Sequence, residues 1–409
     1  MKIIINNKSI YSSVFYLMII FSFISYEYTL YTNAYQILLL IVFSFGLLMV
    51  LLGILSGPDI TDVYLISLKN NLLVHLLSLL LILSIFVSSL KLDLVTTNGV
   101  INVIISILSI YVFFLLIPTM ISENKDRLIV FIISLITFFS VIGIIIGLRG
   151  EFLGYTYTHY NRVSSIFFDP NYFGTLCAMG FILSIHKKGK YKFFAVLNLV
   201  ALFYTGSRAA MIGLLIVTVL FYFYKKRVSI NSFLFFLFIC FLTYYFIGFL
   251  EERMFFRTFQ GLSSREYLWD ISFHLIKNEP LWGYGYGTVG SLLHSHGASN
   301  VSSHNAYLDY IMTNGIIPFV IYSLVIVKSV YMGYKTEIPQ SIIKCIVLIL
   351  INANSISINL GGIGITSLLF TLFLGICNFS GNESKLKQRQ ISDAVKLNEV
   401  LPNEKNSIG

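Results

Sequence analysis

Short polar stretches between long apolar runs hold the residue types with which this chain could do chemistry. These stretches combine arginine with serine, aspartate and histidine. Arginine offers a planar fork of donors that fits phosphate or carboxylate, and histidine titrates near neutral pH, as a general base must. The pattern therefore favours an anion site beside a proton acceptor. The stretches are residues 161–174, 205–208, 251–257, 263–269 and 302–310.

Three of the stretches predict helix N-termini. Asp169, which a proline follows, is a predicted N-cap, and Ser207 is predicted to cap a helix beside Arg208. Ser303 is likewise predicted to cap a helix whose outer mouth carries His304. Free N–H groups and the positive dipole end favour anions there. Helix punctuation for Asp169 and an interfacial snorkelling role for Arg208 remain open alternatives.

Further candidates lie in the other two stretches and in the segment that follows them. Arg257 is four residues after another arginine and shares its helix face, although a cation at a helix C-terminus also suits the dipole. Arg265 is predicted in the first turn of an amphipathic helix, where it opposes the dipole and favours a ligand role. The run Pro280–Gly287 predicts a close backbone approach, not a nucleotide site. Three histidines are spaced too loosely to favour zinc: His294, His296 and His304.

The elements that must position these residues are membrane-spanning helices. Hydrophobic residues make up 56% of the chain and charged residues 11%, against about 25% charged in soluble domains. This excludes a soluble enzyme and a disordered chain. An all-α polytopic domain over residues 1–380 is expected, with a disordered cytoplasmic tail at 381–409. The twelve predicted spans are 13–31, 35–56, 72–90, 100–121, 128–148, 171–186, 192–206, 208–224, 232–250, 306–327, 340–357 and 362–379.

Basic residues orient these spans. With the N-terminus in the cytoplasm, 20 of the 28 basic residues lie inside, and both termini are predicted to be cytoplasmic. The inner set has 17 lysines and 3 arginines, whereas the outer set has 2 lysines and 6 arginines. The basic residues behind the net charge of +9 are thus explained by membrane orientation and by a predicted anion site on the outer side. Nucleic acid is not an expected partner. A large outer loop, 251–305, is a functional candidate by its length.

Five motifs in order resemble the O-antigen ligase and Wzy-type O-antigen and capsular polysaccharide polymerase superfamily. The resemblance covers residues 162–315, and the first 150 residues match only as apolar spans. The motifs are R-x-S-x-x-F-x-D-P-N from Arg162, T-G-S-R from Thr205, S-R-x-x-x-W from Ser264, P-L-W-G-x-G-x-G from Pro280, and S-H-N-x-Y-L from Ser303.

The resemblance implies a GT-C-like helical bundle in the bacterial cytoplasmic membrane. It implies a glycosyltransferase that uses an undecaprenyl-diphosphate-linked glycan on the periplasmic or extracellular face, without a cofactor or metal. It assigns catalytic roles to His304, Arg208 and Arg265. By motif, Arg162 also corresponds to a residue implicated in activity. From the chemistry of the residues, we predict two alternative bases, Asp169 and Glu266, and a diphosphate site formed by Arg162, Arg208, Arg257, Arg265 and Ser207.

The reaction predicted from these features is polymerisation of lipid-linked repeat units in O-antigen, capsule or exopolysaccharide synthesis. An O-antigen ligase, which transfers the glycan to lipid A core or another surface acceptor, is the alternative. The bilayer is an expected partner, and flippase and chain-length regulator proteins are candidate partners. A transporter would need ionisable groups deep in the spans, and an acyltransferase would need a histidine site near the cytoplasm, so both are disfavoured.

Overall fold

The structure used here is a computed structural model, and it is mostly helical. It describes residues 16–20, 22, 40–41, 43–44, 46–47, 67–92, 97–120, 125–152, 155–156, 162–167, 169–225, 263–299, 302–336, 338–362 and 364–380. Only fragments of the first two predicted spans fall within these residues. The predicted span 232–250, Arg257 and the tail 381–409 lie outside them.

The described helices from residue 72 onward are labelled α1 to α12 in chain order. Helix α2 continues beyond its last residue through a π-helical segment, Ile110–Leu116, and a short turn, Ile117–Met120. A short antiparallel pair of strands, β1 (Glu151–Phe152) and β2 (Tyr155–Thr156), follows α3. The helices are α1 (Leu72–Leu92), α2 (Thr97–Ser109), α3 (Lys125–Arg149), α4 (Pro170–Ile185), α5 (Tyr191–Thr205), α6 (Arg208–Lys225), α7 (Ser263–Asn278), α8 (Val289–Ser295), α9 (Ala306–Asn314), α10 (Ile316–Lys335), α11 (Gln340–Asn352) and α12 (Ile365–Ser380).

Length and composition identify membrane-spanning helices among them. Within the described residues, three helices are long and apolar enough to cross a bilayer: Gly99–Thr119, Lys125–Arg149 and Ile316–Lys335. Several shorter apolar helices accompany them, including α4, α5 and α6. Large apolar side chains also face outward, as Phe86 on α1 (60% exposed) and Val327 on α10 (64% exposed) do. The chain is therefore a polytopic membrane protein, and the count of twelve spans stays a prediction.

The predicted span 306–327 is wrong as a single helix. Gly315, with a φ of 81°, separates α9 from α10. The turn Pro280–Gly287 packs at this break, where the amide of Tyr284 donates to the carbonyl of Met312 (2.7 Å). The predicted span 340–357 is also too long, because its helix ends at Asn352. Both errors arise because contacts distant in sequence end the helices.

Replacement of Gly315 by alanine is expected to destabilise the fold. A Cβ at this position meets the carbonyl of Leu281, which is backbone and cannot move aside. The backbone conformation (φ 81°, ψ 177°) is one that essentially only glycine adopts, and it adds a penalty of about 1–3 kcal/mol for alanine. The measurement is the thermal midpoint of the purified full chain in detergent. Gly189→Ala is the matched control, because Gly189 also has a positive φ (68°) but nothing lies within 4 Å of its added Cβ. Equal midpoints for the two variants would contradict a steric role for Gly315.

Hydrogen bonds between buried polar side chains hold α3 to α5. The Asn198 amide of α5 donates to the Thr137 hydroxyl (3.0 Å) and accepts from the Ser140 hydroxyl (2.7 Å), both on α3. Gly180 of α4 lies against the same amide, since an added Cβ there would be 2.8 Å from the Asn198 Oδ1. A polar group buried without a partner is costly, so this network fixes the register of three neighbouring helices.

Lysines mark one end of this bundle. Lys187, just after α4, pairs with Asp126 at the start of α3 (2.8 Å). Lys344, early in α11, lies 2.8 Å from the His186 Nε2 at the end of α4. Helix α4 begins at Pro170 and ends at Ile185, beside these lysines. The arginine-bearing segments described next lie near Pro170, at the opposite end of the helix.

Candidate functional site

Arg162 and Ser207 meet at the start of α4. The Arg162 guanidinium donates from Nε to the Thr205 carbonyl (2.8 Å) and from NH2 to the Asn171 Oδ1 (2.7 Å). The Ser207 hydroxyl donates to the same Asn171 oxygen (3.2 Å). Because Thr205 ends α5 and Ser207 precedes α6, the start of α4, the end of α5 and the start of α6 form one surface. Arg162 therefore braces this surface in addition to bringing positive charge to it.

The N-caps predicted at Asp169 and Ser207 are confirmed. The Asp169 side chain accepts from the amide of Asn171 (2.6 Å), with proline at the first helical position. The Ser207 Oγ accepts from the amide of Ala210 (3.4 Å), so α6 begins with its positive dipole end at Arg208. Arg208 is exposed there, which suits a role in binding a soluble or lipid-borne anion.

The loop of His304 differs from the prediction. Asn305, not Ser303, caps α9, and its side chain accepts from the amides of Tyr307 (3.0 Å) and Leu308 (3.2 Å). The Ser303 hydroxyl donates instead to Asp309 (2.6 Å). Ser303 was the wrong choice because serine and asparagine cap helices about equally well. The helix therefore starts two residues later than a Ser303 cap would place it.

His304 adopts a strained backbone conformation just before the N-cap of α9. Its φ is 55°, in the left-handed region that a non-glycine residue rarely occupies. Its amide donates to the Ser302 hydroxyl (2.9 Å), which fixes the turn. Strain of this kind persists only where surrounding contacts impose it, and it occurs often at functional sites.

Charges from three segments surround the half-buried imidazole of His304. Burial, followed by repulsion from Arg265, lowers the pKa of His304 below its ordinary value of 6.5, while Asp169 and Asp309 act in the opposite direction. Asp169 also caps α4 beside Arg162. Both Tyr172 of α4 and Ser302 of the histidine loop hydrogen-bond to Ser357, so the histidine loop and the arginine surface are adjacent. A half-buried imidazole that is neutral at physiological pH is suited to accept a proton.

The other predicted residues lie in α7 and just after α8. Arg265 lies in the first turn of α7, half-buried, as predicted, whereas Glu266 beside it is exposed. His296 is exposed, and its Nδ1 lies 2.9 Å from the carbonyl of Leu292. Among the residues that the structure describes, no three histidine, cysteine, aspartate or glutamate side chains are grouped to hold a metal ion.

The sequence interpretation did not single out Asp309 or Ser357. Asp309 is 8% exposed, and its carboxylate accepts four hydrogen bonds from the Ser302 hydroxyl, the Ser303 hydroxyl and amide, and the Ser357 hydroxyl. An aspartate in the first turn of a helix is ordinary, so its position alone gave no signal. The usable signal is its place five residues after His304, among otherwise apolar neighbours.

These features define a polytopic membrane protein in which arginine, aspartate and histidine side chains are clustered around the start of α4 and the loop before α9. Residues 193–323 match the family described as O-Antigen ligase, Wzy_C. The matched segment is 131 of the 409 residues and contains Arg208, Arg265 and His304. It confirms the resemblance to the O-antigen ligase and Wzy-type superfamily, whose members are membrane enzymes of ligase or glycosyltransferase type. No curated protein matches the chain.

Proposed function

We propose that the protein is a polysaccharide polymerase that joins undecaprenyl-diphosphate-linked repeat units. The observation that carries this proposal is the position of the half-buried His304 imidazole, because the charges of Arg265 and Asp169 both act on it and Asp169 caps α4 beside Arg162. The family match over residues 193–323 supports the broader class of reaction. The proposed membrane arrangement has about twelve spans in a GT-C-like bundle, cytoplasmic termini and a site on the outer face.

The donor is proposed to be bound through its diphosphate. Arg208, Arg265 and the N-terminus of α6 would neutralise the charge that develops on the leaving group, with Arg162 holding Asn171 and the end of α5 in place. Donors fixed before the reaction stabilise a transition state without reorganising, and each contributes roughly 10²–10³-fold in rate. Arg257 is proposed to add to this group because it lies in the predicted outer loop, four residues after another arginine.

The chemical step is a single displacement. The acceptor hydroxyl oxygen attacks the anomeric carbon of the donor, the bond from that carbon to the phosphate oxygen breaks, and the configuration inverts. His304 takes the hydroxyl proton, and the diphosphate leaves on its lipid with the electron pair. Asp169 is the alternative base at the same site, whereas the exposed position of Glu266 makes it the weaker one.

A ligase is the second candidate, because the family that matches residues 193–323 is described as O-Antigen ligase. The same clamp and base would serve this reaction. Only the acceptor differs, since a ligase transfers the glycan to lipid A core or another surface molecule. Flippase and chain-length regulator proteins are proposed partners of the polymerase.

Deletion of the gene, followed by gel analysis of surface glycan, is expected to separate these two functions. Loss of a polymerase leaves single repeat units attached to the final acceptor. Loss of a ligase leaves full-length glycan on the carrier lipid and none at the surface. Complementation with the unaltered gene is the control, and normal glycan in the deletion strain would contradict both functions.

A further inference from the structure

Asp309 joins the histidine loop to a second segment that is distant in sequence. Its Oδ1 accepts from the Ser303 amide (2.9 Å) and the Ser303 hydroxyl (2.6 Å). Its Oδ2 accepts from the hydroxyls of Ser302 (2.8 Å) and Ser357 (2.5 Å). Ser357 lies in the connection between α11 and α12, so one carboxylate ties three parts of the chain together.

The same network reaches the arginine surface. The hydroxyl of Tyr172, in the first turn of α4, donates to the carbonyl of Ser357 (3.1 Å). The neighbouring residue, Asn171, is the one that holds Arg162 and Ser207. A continuous path of contacts therefore runs from the arginine surface through Ser357 to Asp309.

We propose that Asp309 is the positioning residue for His304, acting through Ser302, Ser303 and Ser357. Ser302 donates to the carboxylate and accepts from the His304 amide, so Asp309 fixes the turn in which His304 has its positive φ. Without these bonds the strained turn has no compensation and would relax. That His304 acts as a base rests on the proposed function. That Asp309 holds His304 in position does not.

The charge of Asp309 predicts the direction in which the pKa of His304 changes when Asp309 is replaced. The ionisable groups that face His304 are Arg265 on α7, Asp169 at the start of α4 and Asp309 on α9. Loss of the Asp309 charge removes stabilisation of the imidazolium, so the pKa of His304 falls. Loss of the Arg265 charge removes repulsion, so the pKa of His304 rises.

Asp309→Asn is the decisive variant. The amide retains the size of the side chain but places an N–H group where two hydroxyls now donate, so those bonds must reverse. The variant is studied as the full chain in lipid nanodiscs, with diethyl pyrocarbonate as the probe, since it reacts with an imidazole in its neutral form and not with the imidazolium. Mass spectrometry of the His304 peptide across pH gives the modification midpoint, which is expected to move to lower pH. Arg265→Met is expected to move it to higher pH.

Glycan synthesis in cells provides the second readout. Asp309→Asn is expected to reduce long-chain glycan about tenfold or more at unchanged protein level, because small misplacements of a catalytic group cost up to about 10²-fold. Ser357→Ala keeps the carboxylate and removes one donor, so a smaller loss is expected. Ser140→Ala is the control, since it breaks a buried hydrogen bond to Asn198 within the helices and is expected to leave the His304 midpoint unchanged.

The outcomes distinguish the positioning of His304 by Asp309 from the role of His304 as the catalytic base. A lowered midpoint together with lost glycan supports both the placement and the catalytic role. A lowered midpoint with normal glycan supports the placement and overturns His304 as the base. An unchanged midpoint in Asp309→Asn, or an equal shift in Ser140→Ala, overturns Asp309 as the positioning residue.

Discussion

Arg208→Ala is expected to abolish long-chain surface glycan while the amount of protein in the membrane stays constant. Arg208 is exposed at the first turn of α6, where free N–H groups and the positive dipole end already favour an anion. Removal of one such donor costs about 10²–10³-fold in rate. Gel analysis of surface glycan, with immunoblotting of a tagged chain, measures both quantities.

Arg149→Ala is the matched control for Arg208. Arg149 ends α3, is also exposed, and lies on the outer side in the predicted topology, but it belongs to none of the five motifs. Its replacement is expected to leave glycan length unchanged. Arg208→Lys is expected to restore only part of the activity, because lysine keeps the charge but not the planar fork. Normal glycan in Arg208→Ala would contradict the diphosphate clamp.

His304→Gln is expected to reduce glycan synthesis by about 10²–10⁴-fold, the range that a general base contributes. Glutamine keeps polar atoms in the loop but cannot accept the proton of the acceptor hydroxyl. His296→Gln is the control, since His296 is an exposed histidine of the same region whose ring contacts Leu292 and Ser295 at the end of its own helix. Full activity in His304→Gln would leave Asp169 as the better candidate base.

His304 also determines how the activity of the unaltered protein is expected to depend on pH. A base works in its neutral form, so activity is lost as the pH falls through the pKa of His304. Burial and Arg265 lower this pKa, and activity is therefore expected to persist below the pH at which an ordinary histidine becomes protonated. Measured initial rates of glycan synthesis from about pH 5 to 8 check this. An acid limb above the ordinary value of 6.5 would contradict it.

Local signals in the sequence predicted several helix starts correctly. Asp169 with its proline and Ser207 with its glycine neighbour are caps whose geometry depends on only a few adjacent residues. The amphipathic helix containing Arg265 was predicted for the same reason, and it is α7. Long apolar runs likewise predicted the helical stretch Gly99–Thr119 and α3, because their length and composition suffice to cross a bilayer.

Non-local contacts account for the features that were not predicted. The break at Gly315 depends on the turn Pro280–Gly287, about 30 residues earlier in the sequence, which packs on it. The end of α11 at Asn352 frees a connection whose Ser357 bonds to Asp309. The helical period of about 3.6 residues in the hydrophobic pattern carries no information about contacts between distant segments. The sequence therefore revealed the arginines and the histidine, but not the hydrogen bonds of Asp309 and Ser357 that support them.

Conversion of lipid-linked repeat units by the purified full chain tests the central claim most directly. The substrate is the lipid-linked oligosaccharide extracted from cells that lack this protein, supplied in nanodiscs without ATP or nucleotide sugar. Mass spectrometry is expected to show glycans of two or more repeat units and release of undecaprenyl diphosphate, with both lost in Arg208→Ala and His304→Gln. Elongation that persists in both variants would contradict the proposed site, and no elongation by the unaltered protein would contradict the polymerase.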